Sequence, residues 1–451
     1  MAQSLTREEA KTKLNKITDD LFRPINKHDE ISHLWLFLLI LITGLGLVAW
    51  IIQMKKGLVV TAMRDYVSWG MYIANFVFFV AVSLIGSLIS SIMHLLKIHW
   101  AKPISRVAEQ VAIAAVTLAS IIIITDMGRP DRFLNVFLHG RFASPILWDV
   151  TVITTYMVIS ILLFYLPLIP DIALLRDRMK GIPSWQSKLY KILALGWKGS
   201  SEQFKKIYHS MRVLMILIIP VALAIHTVTS WLFAATLRPG WDTTIFGPYF
   251  VTGAFVAGTA AVIITMYVYR SRYRLHQYFS ESHFDNMGKL LVLVMLVYFY
   301  FNINEFLVPG YKMKTADGAH LQGLFSGHYA PMFYLVQIGG LILPIILLLF
   351  KSFRKPSPIL VISIFVLLGA WFKRYLIVIP TMQHPFLPIQ NVPDNFHTYI
   401  PTGIEIAVTM FAFGSALLII TLLSKLFPVI TVWEYAEGEG IDLELLNEKK
   451  D

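Results

Sequence analysis

The sequence predicts an all-α integral membrane protein with about ten transmembrane helices. Of the 451 residues, 56% are hydrophobic and only 15% are charged, whereas a soluble protein of this size exposes more charge. The mean hydropathy is +0.63, and the apolar residues form long runs. Roughly 20 apolar residues are enough for a helix to cross the hydrocarbon core. Because lipid cannot hydrogen-bond the backbone, such runs must be helical.

The polar N-terminal residues predict a short amphipathic helix and do not resemble a signal peptide. Thr6 and Glu9 have the spacing of a capping box at the start of a helix. Leu14, Ile17 and Leu21 then recur on one helical face.

Ten runs follow along the chain, and each is long enough to span a bilayer when helix tilt is allowed for. Their boundaries are least sharply marked around the sixth and ninth runs. The predicted spans are 34–53, 69–96, 107–125, 146–169, 211–236, 248–270, 287–307, 329–350, 359–379 and 402–424.

The distribution of basic residues predicts that both termini are cytoplasmic. With the N-terminus inside, the inner segments hold 26 of the 39 Lys and Arg residues, and the outer segments hold nine. Cytoplasmic loops of membrane proteins carry this excess. The chain then divides into a cytoplasmic amphipathic segment 1–33, a transmembrane domain 34–425 and an acidic cytoplasmic tail 426–451.

Two cytoplasmic segments have a composition of their own. The basic loop 170–210 contains two tryptophans, and we expect it to lie on the inner membrane surface. From Trp433 onward the tail has seven acidic residues against two lysines. This composition favours disorder over a docking segment for a partner.

Composition also excludes several classes of site. The chain has no cysteine, which excludes disulfides, thiolate zinc sites and iron–sulfur clusters held by this chain alone. The net charge of +11 is explained by loops facing an anionic membrane surface, and we expect no nucleic-acid partner.

Ionisable residues inside membrane spans are costly to bury and therefore mark candidate functional sites. In the predicted topology they gather at the outer ends of the helices. Asp149 lies one helical turn inside the fourth span, whose start is marked by Ser144 as N-cap and Pro145 at the first helical position. The candidate site residues are Tyr72, Asn75, Asp126, Arg129, His139, Asp149, His226, Lys373, Arg374 and Glu405.

Several of these residues also have a purely structural interpretation. Asp126 and Arg129 could form an ion pair at a helix end, His226 could be a hydrogen-bonded packing residue, and His139 fits a surface histidine. Lys373 and Arg374 are about 100° apart on a helix, so both cannot reach the interface easily, and at least one should face the helix bundle.

A lipid-soluble quinone fits this pattern best among the chemistries considered. It needs an apolar cleft, hydrogen-bond donors and a group that exchanges protons, which Asp149 with His226 or Tyr72 would supply. Haem is disfavoured because only His94 and His226 lie well within spans, on opposite sides of the membrane. A substrate transporter would place its charges near the midplane.

Two other functions remain open at this point. One is a proton- or ion-translocating subunit without quinone chemistry, which a polar path past Ser83, Ser87, Thr117 or Glu109 would favour. The other is a passive membrane anchor.

Several motifs resemble the NrfD / polysulfide-reductase membrane-subunit family, from about residue 30 to 425. They are WGMYIANFVFFV at 69–80, MGRP at 127–130, SPILWD at 144–149, HTVTSWLF at 226–233 and KRY at 373–375. Together with RPGW at 238–241 and FGPY at 246–249, they are similar to the ten-helix branch. That branch includes the quinol-oxidising membrane subunits of alternative complex III.

The resemblance implies two four-helix bundles with flanking helices, in the bacterial cytoplasmic membrane. It implies a quinone site, for menaquinone or a related quinone, near the outer face, and no haem or metal in this chain. Asp149 matches a carboxylate that the family places near the quinol. Members of the alternative complex III branch often have His where this chain has Asp126. Lys373 and Arg374 are expected to stabilise buried carboxylates or a negatively charged form of the quinone.

The resemblance also implies partners. An iron–sulfur subunit with several clusters would dock on the outer face, together with a molybdopterin-type or multihaem cytochrome c subunit and other membrane subunits. The sequence therefore predicts the quinone-reactive membrane subunit of a respiratory oxidoreductase, with Asp149, Asp126 and His226 as its catalytic residues and proton translocation as a further possibility.

Overall fold

The computed structural model is all-helical over the residues that it describes, which are 6–26, 30–179, 181–387, 389–393 and 396–441. Ten helices in these ranges are long and apolar enough to cross a membrane, and they coincide with the ten predicted spans. The chain is therefore a multi-pass membrane protein, as its hydropathy predicts.

Besides short 3-10 helices, the described residues form seventeen α-helices and one π-helical segment, Leu335–Ile342. In chain order, the α-helices are α1 (Arg7–Asn26), α2 (Glu30–Lys56), α3 (Met71–Leu95), α4 (Lys102–Asp126), α5 (Asn135–Leu138), α6 (Pro145–Tyr165), α7 (Leu168–Arg178), α8 (Ser184–Leu193), α9 (Ser201–Ala234), α10 (Phe246–Arg272), α11 (Glu281–Lys312), α12 (Thr315–Phe325), α13 (Ala330–Tyr334), α14 (Leu343–Leu349), α15 (Pro356–Met382), α16 (Gly403–Leu426) and α17 (Val432–Gly438).

Local capping explains where several helices begin. Before α1, Thr6 and Glu9 exchange the hydrogen bonds of the predicted capping box. Leu14, Ile17 and Leu21 on its apolar face are buried as expected. Before α6, Ser144 is the extended N-cap residue and Pro145 occupies the first turn.

The spans pack as two four-helix bundles with two flanking helices. Helices α3, α4, α6 and α9 form the first bundle. The second contains α10, α11, α15 and the span made by α13, the π-helical segment and α14. Helices α2 and α16 pair with each other beside the first bundle. This arrangement agrees with the one that the family resemblance implies.

Small residues bring the central helices into close contact. A Cβ atom on Gly86 of α3 would lie 2.0 Å from the Ala108 carbonyl oxygen of α4. On the other side, a Cβ atom on Gly258 of α10 would lie 2.0 Å from the Ile85 side chain. Close backbone approach of this kind stabilises helix pairs in lipid, and it holds α3 at the centre of the molecule.

The loops form two opposite faces of the helical domain. The Asp126 side, where α4 ends, holds the connections near Gly70 and Tyr399, which contact each other through the Met71 amide and the Tyr399 hydroxyl at 2.8 Å. The Lys102 side, where α4 begins, holds α1, α7, α8 and α17. On that side Lys13 and Glu439 form an ion pair at 2.6 Å.

The beginning of the C-terminal tail is folded, so the prediction of disorder from Trp433 onward is wrong for its first residues. Trp433 is fully buried, and its indole donates to the Pro167 carbonyl oxygen at 2.8 Å. The carboxylate of Asp171 accepts from the Val432 and Trp433 amides at the start of α17. Composition misses this because the contacts come from distant parts of the chain. Residues 442–451 lie outside the described residues.

Candidate functional site

The polar residues on the Asp126 side form three groups on different faces of the two bundles. The first lies between α2, α3, α15 and α16. The second lies between α6 and α9, and the third lies within the second bundle. The structure therefore does not gather all the predicted site residues around Asp149.

The first group is built on one face of α3. Tyr72 is fully buried and its hydroxyl donates to Gln53 Oε1 on α2. Gln53 Nε2 in turn donates to the Thr125 carbonyl oxygen at 3.0 Å. One turn deeper, Asn75 Nδ2 donates to Thr409 Oγ1 at 2.8 Å, and Asn75 Oδ1 accepts from Trp371 Nε1 at 2.8 Å. Tyr72 and Asn75 thus share a face, as their spacing predicts.

Glu405 lies at the outer end of this group and has a clear structural role. With Thr402 it forms a capping box at the start of α16. Its carboxylate also accepts from the Ala62 amide at 2.8 Å and from the Tyr399 hydroxyl. Burial, together with the adjacent Glu405, raises the pKa of Tyr399 far above its usual value, which keeps this phenol a hydrogen-bond donor.

Asp126 is half-buried beside the first group. Its Oδ1 atom has no hydrogen-bond partner among the described residues. The alternative of an ion pair with Arg129 is not observed, because Arg129 pairs with Asp131 at 2.8 Å in the exposed loop. Arg129 accordingly lowers the pKa of Asp131.

The second group contains Asp149 and His226. Asp149 is 3% exposed and accepts a hydrogen bond from Thr229 of α9. His226 lies one turn from Thr229 on the same helix and is 2% exposed. Its Nδ1 contacts the Ala222 carbonyl oxygen at 3.4 Å, while its Nε2 has no partner in the described part of the chain. The group thus combines a carboxylate, a hydroxyl and an imidazole.

The third group contains the two adjacent cations of α15, and both face the bundle. Lys373 Nζ forms an ion pair with Glu305 Oε2 of α11 at 2.6 Å. The same carboxylate oxygen accepts from the Tyr249 hydroxyl at 2.8 Å. Arg374 lies over the Phe250 ring, with its Cζ atom 5.0 Å from the ring centroid.

Two predicted residues lie away from all three groups. Arg129 and His139 are exposed in the loop between α4 and α6. Sequence reasoning missed Gln53, Thr229, Trp371 and Thr409, which hydrogen-bond the predicted residues. Only Thr229 carried a usable signal, because it lies three residues after His226 and therefore on the same helical face.

An apolar cleft of about 480 Å³ lies beside the first group. Met410 and Leu417 of α16, which line it, are 50% and 45% exposed, so the cleft opens on the lipid-facing surface. Phe78, Phe79 and Phe413 supply aromatic walls. Its polar end is formed by Trp371 and Thr409, the two side chains that hydrogen-bond Asn75.

A row of buried polar groups continues from α3 toward the Lys102 side. It runs along the interfaces of α3 with α4 and α6. Thr117, which the sequence suggested for such a path, is half-buried and does not belong to the row. The contacts within the row are Tyr156 hydroxyl to Ser83 carbonyl oxygen, Ser87 to Ser160 at 3.0 Å, Ser90 to Glu109 at 2.8 Å and Arg106 to Glu109 at 3.4 Å.

Comparison of the sequence with known proteins shows to which family the chain belongs. A protein of Halobacterium salinarum, provisionally named as a membrane subunit of dimethyl sulfoxide reductase, is 25% identical over 88% of this chain and 91% of its own. A selenate reductase subunit of Mesobacillus selenatarsenatis is 23% identical over 88% of this chain and 95% of its own. The menaquinone reductase integral membrane subunit of Nitratidesulfovibrio vulgaris is 22% identical over 88% and 91%. Residues 59–385 match the family described as polysulphide reductase, NrfD, and the chain belongs to that family.

Proposed function

We propose that this chain is the quinone-reactive membrane subunit of a respiratory oxidoreductase complex. It exchanges electrons between a menaquinone-type quinone and iron–sulfur or c-haem subunits that dock on the Asp126 side. The names of its relatives support this function, since one is a menaquinone reductase subunit and two are named as subunits of dimethyl sulfoxide reductase and selenate reductase. The proposed orientation puts the termini in the cytoplasm and the Asp126 side outside.

The lipid-open cleft is the observation that carries the proposal. Its volume of about 480 Å³ falls in the range of small-molecule sites, which combine apolar walls with a few placed polar groups. The aromatic walls suit a quinone ring and its isoprenoid tail. The polar end presents Trp371 and Thr409, and the buried Asn75 behind them holds both side chains in place by hydrogen bonds.

Proton exchange is assigned to the carboxylates on either side of α3. Within the described part of the chain, Asp126 has a carboxylate oxygen without a hydrogen-bond partner beside the Tyr72 group. We therefore assign it proton exchange on the side of α3 that faces the cleft. Asp149, with Thr229 and His226, is assigned proton exchange on the opposite face of α3. Tyr72 and Glu405 position the first group, and Arg129 and His139 keep only the role of surface residues near a docking partner.

The function is tested with Asn75→Leu in the purified assembled complex. Loss of the amide removes the hydrogen bonds that hold Trp371 and Thr409 at the polar end of the cleft, so the KM for a soluble menaquinol analogue should rise about tenfold, the value of one to two hydrogen bonds. The matched control is Asn304→Leu, because Asn304 lies on α11 away from the cleft and donates to the Tyr300 carbonyl oxygen of its own helix. An unchanged KM in Asn75→Leu with normal assembly would remove the cleft from the proposal.

Proton translocation is the second candidate function, and the buried polar row along α3 favours it. Asp149, Thr229 and His226 lie at its Asp126 end, and Glu109 with Arg106 lies at its Lys102 end. Serine and tyrosine hydroxyls between these ends can both donate and accept protons. The row therefore provides groups for proton transfer over most of the membrane thickness.

Glu109→Gln separates the two functions. In sealed vesicles containing the complex, the variant should keep quinol turnover and the one proton per electron that quinol oxidation itself releases, and it should lose the protons translocated in excess of that number. Ser105→Ala is the control, since the Ser105 hydroxyl bonds the Ala101 carbonyl oxygen in the same stretch of chain. An unchanged proton yield in Glu109→Gln would contradict translocation along this row.

A further inference from the structure

Arg374 is a buried cation for which the described residues provide no acceptor. It is 2% exposed, and neither its Nε nor its Nη1 atom has a hydrogen-bond partner among them. A guanidinium group stays charged under all ordinary conditions. Burying an unpaired charge in a membrane bundle costs free energy, and an anion bound beside Arg374 would lower that cost.

The neighbouring carboxylate does not meet this need. Glu305 is already bound by Lys373 at 2.6 Å and by the Tyr249 hydroxyl at 2.8 Å. No other carboxylate in the described ranges forms an ion pair with Arg374. Lys373, Glu305 and Arg374 together therefore carry one excess positive charge.

A small cavity adjoins the guanidinium. Its volume is about 20 Å³, and its polar lining consists of Tyr298, Asn302, Gln337, Lys373 and Arg374. Two of these side chains are cations, and none is a carboxylate. Glu305 instead lines a separate cavity on the other side of Lys373.

The two amides in this lining are oriented by each other. Asn302 Nδ2 donates to Gln337 Oε1 at 2.7 Å, and Gln337 Nε2 donates to Asn302 Oδ1 at 3.3 Å. Each amide uses one N–H in this exchange and keeps a second. The cavity thus collects hydrogen-bond donors from the guanidinium and from both amides.

Backbone features specific to this part of the chain make room for the cavity. Gly253 of α10 lacks the Cβ atom that would lie 2.7 Å from Arg374 Nη2. Gln337 lies in the π-helical segment, a form of helix that occurs often at functional sites. In the same segment Gly340 packs against Gly369 of α15, where a Cβ atom would meet the Gly369 Cα atom at 2.8 Å.

We propose that this cavity binds one small monovalent inorganic anion of the size of chloride. A cavity of about 20 Å³ accepts roughly one water-sized sphere. It is too small for a quinone ring, a phosphate or a carboxylic acid. The site is separate from the cleft at Asn75 and does not rest on the proposed function.

The test is the thermal unfolding midpoint of the purified complex during a chloride titration. Sodium gluconate keeps the ionic strength constant, because gluconate is too large for the cavity. We expect the wild-type Tm to rise about 1–3 °C for each tenfold increase in chloride above the dissociation constant. Bromide should act in the same way. The Arg374→Gln variant should lose this response, and Arg354→Gln, whose arginine pairs with Asp285 at 2.7 Å, should keep it.

Gln337→Leu provides a second variant that retains the buried charge. Removing this amide should raise the chloride concentration for half-maximal stabilisation about tenfold, and this variant decides the test if Arg374→Gln does not assemble. A wild-type Tm that is the same in chloride and gluconate would overturn the proposal. An unchanged chloride response in Arg374→Gln, or an unchanged half-maximal chloride concentration in Gln337→Leu, would also overturn it.

Discussion

At the scale of single residues, the buried charges on the Asp126 side differ in the number of hydrogen-bond and ion-pair partners that they have. Glu405 accepts four hydrogen bonds, Lys373 pairs with Glu305, and Asp149 has one hydroxyl donor. The fully bonded Glu405 fits a structural role. The sparsely bonded Asp149 is the better candidate for a group that changes its protonation state.

Asp149→Asn tests this assignment directly. The amide is similar in size and can still accept from Thr229, but it cannot exchange a proton. Quinol turnover in the assembled complex should fall about 100-fold or more, because Asp149 then cannot take part in the proton exchange that is assigned to this face of α3. The comparison is Thr229→Val, which removes the hydrogen bond and keeps the carboxylate, and which should have a smaller effect. Unchanged turnover in Asp149→Asn would show that Asp149 has no catalytic role.

The residue scale also marks the limit of what sequence patterns reveal. Depth in the membrane identified Asp149, Lys373 and Glu405 as buried, because depth follows from distance along a helix. The partners Thr229, Glu305 and Ala62 come from other parts of the chain. Their contacts depend on helix rotation and crossing, which one sequence does not specify.

At the scale of elements, hydropathy located all ten spans, because the transfer of about 20 residues into lipid is a local property. The tail was mispredicted for the opposite reason. Helix α17 is stabilised by Trp433 packing on Phe204 and Tyr208 and by capping from Asp171. An acidic composition predicts disorder unless such long-range contacts are known.

The capping of α17 by Asp171 predicts a pH-dependent stability. Burial raises the pKa of Asp171 to about 7, with Arg106 opposing and Glu434 adding to the shift. Its ordinary value is about 3.9. Between these two pKa values the folded state retains a proton that the unfolded state loses. The free energy of unfolding therefore falls as the pH rises from about 3.9 to about 7, and it levels off above that pH.

The measurement is the Tm of the complex at pH 6 and pH 8.5. The decrease should be about 2 °C larger for wild type than for Asp171→Asn, which cannot ionise. Asp177→Asn is the control, since Asp177 lies on the same helix in an exposed position, where it pairs with Arg176. A pH dependence that is identical in wild type and Asp171→Asn would contradict this account of the α17 contact.

At the scale of the whole molecule, the two bundles carry different chemistry. The polar row lies in the first bundle, and the second bundle contains the Lys373 and Arg374 cluster. The proposed quinone cleft lies between them, where α3, α4 and α16 meet α10 and α15. The existence of two bundles was predictable from family resemblance, but this separation was not. It depends on which helices pack together, and the positions of Asp149, His226 and Lys373 along three different helices do not reveal that packing.

The complete absence of cysteine allows a clean test of the predicted orientation. An introduced cysteine at Arg141, exposed on the Asp126 side, should react with a membrane-impermeant maleimide in intact cells. One at Lys191, exposed on the Lys102 side, should react only after the membrane is opened. The reverse labelling pattern would invert the topology and move the quinone site to the cytoplasmic face.

The central claim is that the cleft between α3, α15 and α16 binds the quinone, and photo-crosslinking tests it most directly. A photoreactive menaquinone analogue is bound to the purified complex, activated, and located by mass spectrometry of peptides. We predict labelling around Phe78, Trp371 and Thr409 that excess menaquinone suppresses and that Asn75→Leu reduces about tenfold at limiting probe. Competed labelling confined to another subunit, or to helices that do not line the cleft, would contradict the account.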